Sequence, residues 1–348
     1  MEEPSDRPDD FTQKIVEHVV NGGSMCVMGP AGTGKSVCLR AVIAALEERG
    51  RTCQAICLTH TGARNIGQGA MTAHCFVHKF VLHGTYSGQV VLIDEISFMS
   101  IDLLAALEHL RLKGVRLLCF GDFRQLPPVC NRWRGQKVPS DIFERSRLFW
   151  RWSQGNRFVL RRCRRSDRAH FDSYMRLRDM PLHEALATAH ALYPPATADA
   201  DWHIVLSHYK RKALNEELQQ RAVQKETDVI LVDGETPYHC FPGTKLIGSN
   251  STLRPIVNGA LLLVTKVSPD VVTLKDEDAG GEEFEVSVSQ LVRHTRLRWA
   301  LTLCSVQGRS LKGTVAIHDL TSRHFSTTHL YVALSRAALG SRVSIVRV

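Results

Sequence analysis

The sequence lacks any hydrophobic run long enough to span a bilayer. Its apolar runs are short and are interrupted by charged residues or glycine, whereas a membrane helix needs roughly 18 consecutive apolar residues. The opening residues, MEEPSDRPDD, are acidic and polar, which argues against a signal or transit peptide. We therefore expect an intracellular protein of the nucleus or cytoplasm, with no membrane partner.

Motifs for metal sites and disulfide frameworks are also missing. The ten cysteines and sixteen histidines are scattered, and neither a CxxC pair nor an HExxH motif occurs. This distribution favours free thiols in a reducing compartment over a zinc site or a set of disulfides. No internal repeat is recognisable, which excludes solenoids and propellers.

What is present is the composition of a soluble globular protein. The 348 residues are 44% hydrophobic and 23% charged. At about 150 residues per domain, this length suggests two domains or three small ones. The net charge of +9 suits a polyanionic partner such as nucleic acid, although many basic proteins bind none.

Apolar runs and helical stretches alternate through the first 130 residues. The runs are SMCVM (24–28), QAICLT (54–59), VVLIDE (90–95) and VRLLCFGD (115–122), with a helical stretch at 35–49. Such alternation predicts an α/β fold with a parallel sheet covered on both faces. Residues 229–293 instead contain short β-like runs separated by turn residues, which predicts a small antiparallel insert.

Residues 29–36 match the phosphate-loop pattern G-x-x-x-x-G-K-[ST] between a predicted strand and a predicted helix. Glycines allow the backbone N–H groups of such a loop to converge on phosphates, and the helix N-terminus adds positive potential. Lys35 would reach the β- and γ-phosphates of ATP, and Ser36 would ligate Mg²⁺. The predicted ATP-binding residues here are Gly29, Pro30, Ala31, Gly32, Thr33, Gly34, Lys35 and Ser36.

Two carboxylates, Asp94 and Glu95, end the apolar run at 90–95. The carboxyl edge of a parallel sheet is where ligands bind, which would place this pair beside the phosphate loop. Asp94 would then hold Mg²⁺, and Glu95 would polarise the attacking water.

Further motifs resemble those of superfamily 1B helicases, most closely the Pif branch, with RecD-like and Dda-like relatives. The most specific are GDFRQLPPV (121–129) and YVALSRA (331–337). In family order the chain also carries LTHTGARNI (58–66), TAHCF (72–76), DEISFMS (94–100), LRRCRRSD (160–167), VNG (257–259) and WALTLCSVQG (299–308).

The resemblance implies two RecA-like P-loop domains with parallel sheets and a small β-rich, SH3-like insert in the second. We place the first domain at 1–154, the second at 155–257 and 294–348, and the insert at 258–293. ATP would bind between the two lobes, and hydrolysis would drive stepwise movement.

The resemblance also assigns roles to individual residues. Gln13 would contact the adenine of ATP, and Gln125 would sense the γ-phosphate. Arg164 and Arg336 would be arginine fingers supplied by the second lobe. The predicted catalytic residues are Lys35, Glu95, Gln125, Arg164 and Arg336. The predicted DNA-binding residues are Thr61, His74, Phe76, Asn258 and Gln307, although His74 could equally be a core histidine.

The implied function is an ATP- and Mg²⁺-dependent helicase that moves 5′ to 3′ on single-stranded DNA and unwinds duplexes with a 5′ overhang. Replication, recombination and repair proteins are the partners that such an activity suggests. Three tryptophans, Trp133, Trp150 and Trp152, lie among arginines. They could stack on bases, but we expect at least two of them to pack in a core.

The chain departs from the family at two places that bear on function. CSVQG (304–308) stands where relatives have His-Lys-Ser-Gln-Gly, so a lysine is missing there. The stretch between Phe76 and the strand at 90–95 is short, and relatives place a strand-separating pin in it. Alternatives therefore remain: a translocase or protein-displacing motor without robust unwinding, a superfamily 1 RNA helicase, or a binding subunit whose ATP site is a switch. The chain is expected to be close to a bare motor core.

Overall fold

The computed structural model describes residues 10–128, 131–139, 141–197, 199–224, 226, 228–233, 237–249, 256–278 and 280–347. Val129, the last residue of GDFRQLPPV, lies outside these ranges. The chain forms two compact units, a first unit of Met1–Asp172 and a second unit of Ser173–Val348. Within the described ranges, no helix is both long and apolar enough to cross a membrane, and the cysteines are free thiols.

The first unit alternates strands and helices, as the sequence predicts. Its strands are β1 (Cys26–Met28), β2 (Cys53–Cys57), β3 (Met71–Thr72), β4 (Val90–Ile93), β5 (Arg116–Gly121), β6 (Arg132–Trp133), β7 (Gln136–Lys137) and β8 (Arg157–Val159). Its helices are α1 (Asp10–Val20), α2 (Lys35–Glu47), α3 (His60–Ile66), α4 (Ala73–Phe76), α5 (Ile101–Leu112) and α6 (Arg147–Ser153), and α7 (Arg168–Arg178) contains the boundary between the units.

Six of these strands form one parallel sheet in the order β3-β2-β4-β5-β1-β8. Alternate residues of β4 enter different cores. Val90 and Leu92 pack with α1 and α2, whereas Val91 and Ile93 pack with α5 and α6. Every β4 side chain is therefore buried, which explains why this strand is an unbroken apolar run in the sequence.

The position of β8 differs from the expected domain limits. Residues 157–159 pair with β1 in the first sheet, although we expected the second domain to begin at residue 155. The compact units separate between Asp172 and Ser173 instead. The predicted boundary at residue 155 therefore does not mark a change of sheet.

The second unit contains a parallel and an antiparallel sheet. Its strands are β9 (Trp202–Val205), β10 (Ile230–Val232), β11 (Tyr238–Cys240), β12 (Lys245–Gly248), β13 (Leu261–Val267), β14 (Val271–Asp276), β15 (Glu283–Ser287), β16 (Thr295–Leu297), β17 (Ala300–Thr302), β18 (Val315–Ile317) and β19 (Val343–Ile345). Its helices are α8 (Leu182–Leu192), α9 (His208–Val223), α10 (Val288–His294) and α11 (Thr327–Leu334).

The parallel sheet has the order β17-β9-β18-β19 and the antiparallel sheet the order β15-β14-β13-β12-β16. Strands β12 and β16 lie outside the insert limits of 258–293, so the antiparallel sheet recruits residues on both sides of the predicted segment. The α/β architecture with parallel sheets is confirmed, while the SH3-like character of the insert stays a prediction.

Candidate nucleotide site and nucleic-acid interface

The phosphate loop leaves β1 and enters α2. Gly32 and Gly34 have φ angles of +80° and +92°, in the left-handed region that favours glycine. A Cβ on Gly32 would also lie 2.8 Å from Cβ of Arg165. The Gly29 backbone N–H donates to the Gly121 carbonyl over 3.2 Å, which joins the loop to the start of GDFRQLPPV. The loop is therefore fixed at the carboxyl edge of the sheet.

Lys35 is buried at the first position of α2. Its Nζ donates to the carbonyls of Gly29 and Pro30, over 2.7 and 3.0 Å. These contacts hold the ammonium inside the curve of the loop, where backbone N–H groups and the helix N-terminus also favour an anion.

Ser36 and Asp94 meet beside this loop, because Ser36 Oγ donates to Asp94 Oδ2 over 3.2 Å. Burial, reinforced by the neighbouring Glu95 carboxylate, raises the pKa of Asp94 to about 7, although Lys35 and the hydrogen bond from Ser36 oppose the rise. A hydroxyl and a carboxylate are the hard oxygen donors that Mg²⁺ prefers, usually one or two per site with phosphates and waters completing the shell. The pair therefore fits a Mg²⁺ ion.

Glu95 combines a strained backbone with an unpaired carboxylate oxygen. Its φ angle is +52°, which is uncommon for a residue other than glycine and costs about 1–3 kcal/mol. Its N–H donates to Asp94 Oδ1 over 2.9 Å. Its Oε2 is buried and has no hydrogen-bond partner among the described residues. Such an oxygen can accept a proton or a hydrogen bond from a water at the γ-phosphate.

Gln125 is buried one turn beyond β5. The turn is closed by Asp122, whose carboxylate accepts from the Arg124 N–H over 3.0 Å and whose carbonyl accepts from the Gln125 N–H over 3.1 Å. Because Gly121 in the same segment bonds Gly29, this turn belongs to the edge of the sheet that carries the phosphate loop.

Arg164 lies in the first unit, against the phosphate loop. Its N–H donates to the Gly32 carbonyl over 2.8 Å, and its Cδ would lie 3.4 Å from a Cβ on Gly34. We expected this arginine to come from the second lobe, and that expectation is corrected. The physical reason is β8, which pairs with β1 and carries residues 160–165 along the loop.

Arg336 is fully buried in the second unit, with 1% of its surface exposed. Its guanidinium donates to the Val332 carbonyl, the Arg309 carbonyl and Ser335 Oγ over 3.0, 3.1 and 2.8 Å. An arginine finger must present its guanidinium to the phosphoryl group, whereas in this conformation the group is engaged inside its own unit. The finger role of Arg336 stays a prediction.

The residues predicted to contact the nucleotide base and the DNA differ in exposure. Gln13 on α1, His74 and Asn258 are exposed, whereas Thr61 and Gln307 are buried. His74 is thus not a core histidine.

Phe76 is fully buried and packs against Phe80 and Tyr86 at centroid distances of 5.6 and 5.1 Å. Its ring is engaged in the core rather than presented to a base, and it supports the turn that carries His74.

The three tryptophans divide differently from our expectation. Trp152 is a core residue whose Nε1 donates to Glu108 Oε2 over 2.6 Å. Trp133 and Trp150 are exposed, so one of the three packs in a core rather than at least two. Helix α6 explains the split, because Trp150 and Trp152 are two residues apart and face different sides of it.

One functional candidate escaped the sequence motifs. Arg309, directly after the Gln-Gly pair, is buried; its Nη1 lies 3.0 Å from Asp278 Oδ2 and its Nη2 donates to the Gly259 carbonyl. Its own carbonyl accepts from Arg336. Arg309 thus connects Asp278, which follows β14, and Gly259, which precedes β13, with Arg336. No spacing rule marks it, because its partners are distant in the sequence.

The first unit therefore has the fold and site of a P-loop nucleotide-binding protein of the α/β class, with the phosphate loop and an acidic pair at one sheet edge. A family model described as an AAA domain matches residues 11–133. The human ATP-dependent DNA helicase PIF1 is 31% identical over 152 residues, which cover 37% of this chain and 23% of the human protein. The Candida albicans PIF1 helicase is 29% identical over 145 residues, covering 34% of this chain and 16% of that protein. The matches thus span less than a quarter of these relatives.

Solved structures with a similar fold cover nearly the whole chain. A crystal structure of Pif1 helicase from Candida albicans has a TM-score of 0.73 and 20% identity, covering 98% of this chain and 95% of that one. A Bacteroides Pif1 bound to single-stranded DNA has a TM-score of 0.73 and 20% identity, covering 97% and 91%. The chain is therefore Pif1-like in fold over nearly its whole length, and about a third of it is similar in sequence to PIF1 helicases.

Proposed function

We propose that this protein is an ATP- and Mg²⁺-dependent motor that moves 5′ to 3′ along single-stranded DNA and unwinds duplex DNA. The observation that carries the proposal is the buried Oε2 of Glu95, which has no hydrogen-bond partner among the described residues and lies beside Asp94, Ser36 and the phosphate loop. An acceptor held in this way suits a group that activates water.

The residues divide the work of hydrolysis as follows. Lys35 exchanges its loop carbonyls for the β- and γ-phosphates, and Ser36 and Asp94 hold Mg²⁺. The metal, when bound, neutralises charge on the phosphates. Glu95 orients the attacking water and takes up its proton. Gln125 registers the loss of the γ-phosphate, and Arg164, next to the loop, stabilises the charge on the transferring group.

DNA is proposed as the track because the matching relatives are named ATP-dependent DNA helicases and a solved neighbour holds single-stranded DNA. The proposed polymer partners are single-stranded DNA and duplex DNA with a 5′ overhang, and the polarity comes from the superfamily 1B resemblance alone. His74 and Asn258 are the predicted contact residues whose exposure suits this role.

A translocase that does not unwind is the second candidate. Between α4 and β4 the chain has one π-helical turn, Val77–Val81, followed by turns. A segment this short leaves little material for a strand-separating element.

ATP turnover tests the proposal directly. Wild type is compared with Lys35→Ala and Glu95→Gln, with and without a dT oligonucleotide, and poly(U) tests for an RNA track. We expect stimulation by dT and a loss of about 100-fold or more in both variants. Glu184→Gln, an exposed change in α8, is the matched control and should behave as wild type.

Duplexes with a 5′ or a 3′ overhang then separate the two candidates. Unwinding from the 5′ overhang supports a helicase of the proposed polarity. Stimulated turnover without unwinding from either end supports the translocase. Turnover that no nucleic acid stimulates contradicts both.

A further inference from the structure

A basic cleft of about 290 Å³ lies within the second unit. Four cations line it: Arg211 and Lys212 from the start of α9, Arg293 from the end of α10 and Arg296 from β16. Among the described lining residues, Glu216 supplies the one carboxylate. We call this feature the basic cleft, and its excess of positive charge suits an anion.

Two of these arginines, Arg211 and Arg296, lie in the wall of the cleft. Arg211 is 7% exposed, and Arg296 is half-buried. The Nε atoms of both are buried, and neither has a hydrogen-bond partner among the described residues. Buried donors without partners are costly and are normally satisfied. A phosphate is the natural partner, because a guanidinium can donate to it through two N–H groups.

The electrostatic field of the cleft acts on its neighbours. Burial lowers the pKa of Arg211, and the positive charge of Arg296 lowers it further. Burial, followed by the charges of Arg211, Arg296 and Lys212, lowers the pKa of His208. The cations therefore repel one another in the absence of an anion.

An aromatic side chain stands beside these cations. Tyr209, with 84% of its surface exposed, is the most exposed large apolar side chain of the described residues. It lies three residues before Lys212 on α9, which makes the two side chains neighbours on the helix surface. Cationic grooves flanked by exposed aromatic rings are the means by which proteins hold single strands, since phosphates take the cations and bases stack on the rings.

The backbone of the cleft wall is also hydrogen-bonded to the turn that carries a predicted DNA-binding residue. Ser249, which lines the cleft, follows Gly248. Gly248 exchanges backbone hydrogen bonds with Gly259 and Ala260 over 2.8 and 2.9 Å. Exposed Asn258 begins the same turn. A single-stranded nucleic acid that contacts Asn258 would therefore pass over backbone that is hydrogen-bonded to the cleft wall.

We propose that the basic cleft binds a backbone phosphate of a single-stranded nucleic acid and that Tyr209 stacks on a neighbouring base. This inference rests on the proposed function and deepens it, since it gives the second unit its own grip on the strand. Arg211 and Arg296 hold the phosphate from inside the wall, while Lys212 and Arg293 attract it from solvent.

Equilibrium binding of a fluorescent dT oligonucleotide, measured by anisotropy over a range of salt concentrations, tests this inference. The double variant Arg211→Gln/Arg296→Gln removes two charges from the cleft. The matched control Arg221→Gln/Arg323→Gln removes two exposed charges from the same unit. For each phosphate that the protein no longer neutralises, the slope of log K against log salt should fall by about 0.7. We expect that fall in the cleft variant and a slope close to wild type in the control.

Tyr209 gives an independent measurement. Tyr209→Ala should weaken binding about 5- to 100-fold, the range for loss of one stacked base, with an unchanged salt slope. Tyr209→Phe keeps the ring and should bind as wild type. A cooperative thermal unfolding transition with a midpoint close to that of wild type shows that each variant is folded.

The remaining outcomes separate this inference from the proposed function. If wild type binds the dT oligonucleotide but the cleft variant has the same salt slope as wild type, the cleft proposal is wrong and the motor proposal stands. In a further outcome, inorganic triphosphate stabilises wild type but not the cleft variant, while both proteins bind the oligonucleotide with the same salt slope. The cleft then binds free polyphosphate instead of DNA. If wild type binds no strand, the proposed function itself fails. Basal ATP turnover without DNA should be the same in all variants.

Discussion

Both units contain sequence motifs with predicted functional residues, but the side chains of these residues differ in how far their hydrogen-bonding groups are already engaged. In the first unit, Glu95 has a buried oxygen with no hydrogen-bond partner in the described part of the chain, and Lys35 donates to loop carbonyls that phosphates can replace. In the second unit, Arg336 donates to three acceptors inside the fold, and Arg309 is bound to Asp278 and Gly259.

This difference separates two kinds of motif residue. A group with unused hydrogen-bonding capacity serves chemistry and contributes little to folding, so its loss should affect activity alone. A group that satisfies several buried acceptors also stabilises the fold, because its removal leaves those acceptors unpaired. Variants in the two units should therefore separate activity from stability.

The largest effect is expected from Glu95→Gln in the first unit. Turnover should fall by about 100- to 10,000-fold, the usual contribution of a general base. The free energy of unfolding should stay the same or rise, because the variant removes a negative charge beside the buried Asp94 carboxylate, whose pKa the Glu95 charge helps to raise. Turnover assays and chemical denaturation on one preparation measure both quantities. A loss of stability parallel to the loss of activity would contradict the assignment.

Arg336→Gln should act mainly on the stability of the second unit. The carbonyls of Val332 and Arg309 lose their guanidinium donor, so we expect a destabilisation of about 2–4 kcal/mol. Hydrogen exchange can localise the change to the second unit, with exposed Arg323→Gln as a control within about 0.5 kcal/mol. Unchanged stability with abolished turnover would show that Arg336 leaves these hydrogen bonds and acts as a finger.

The sequence predicts the first site well because its motifs are local. Residues 29–36, Asp94 and Glu95 all follow strands of one parallel sheet, and parallel strands bring their carboxyl ends to one edge. The positions of these motifs in the sequence therefore predict directly which residues lie close together at the sheet edge.

The errors arise where tertiary pairing decides. Arg164 lies against the phosphate loop because β8 joins β1, a pairing that composition does not reveal. Phe76 belongs to the core although its motif suggests DNA, since the motif does not say which face of a one-turn helix is covered. Arg211 and Arg296 lie 85 positions apart in the chain and meet only in the folded second unit.

A histidine pair should give the second unit a pH response. His203 Nδ1 and His318 Nε2 are 3.0 Å apart and buried. Burial, followed by the charges of His203 and Lys210, lowers the pKa of His318 to about 4. Because the unfolded chain binds this proton more readily, His318 destabilises the fold as pH falls from about 6.5 to about 4, and its contribution is constant above that window.

The effect should reach about 3 kcal/mol near pH 4. Denaturation midpoints of wild type and His318→Asn, compared between pH 4 and 8, measure it. The variant should show a shallower loss of stability in this range, while His324→Asn, an exposed change in the same unit, should follow wild type. Identical pH profiles for His318→Asn and wild type would contradict the low pKa.

The smallest effect concerns the ion pair that joins Arg309 to the β-rich sheet. Asp278 Oδ2 accepts both from Arg309 and, over 3.2 Å, from the Leu261 N–H. A double-mutant cycle of Asp278→Asn and Arg309→Gln should give a coupling free energy of about 1–2 kcal/mol.

The exposed pair Arg168–Asp172 of the first unit, at 2.7 Å, is the matched control. Its cycle should give a clearly smaller coupling free energy, because solvent screens it, even though its atoms are closer than those of the buried pair. If the two cycles give equal energies, burial does not strengthen the pair of Arg309 with Asp278. If the pair of Asp278 and Arg309 couples more strongly than the exposed pair, the side chain of Arg309 contributes to stability through Asp278, while its backbone carbonyl separately accepts from Arg336.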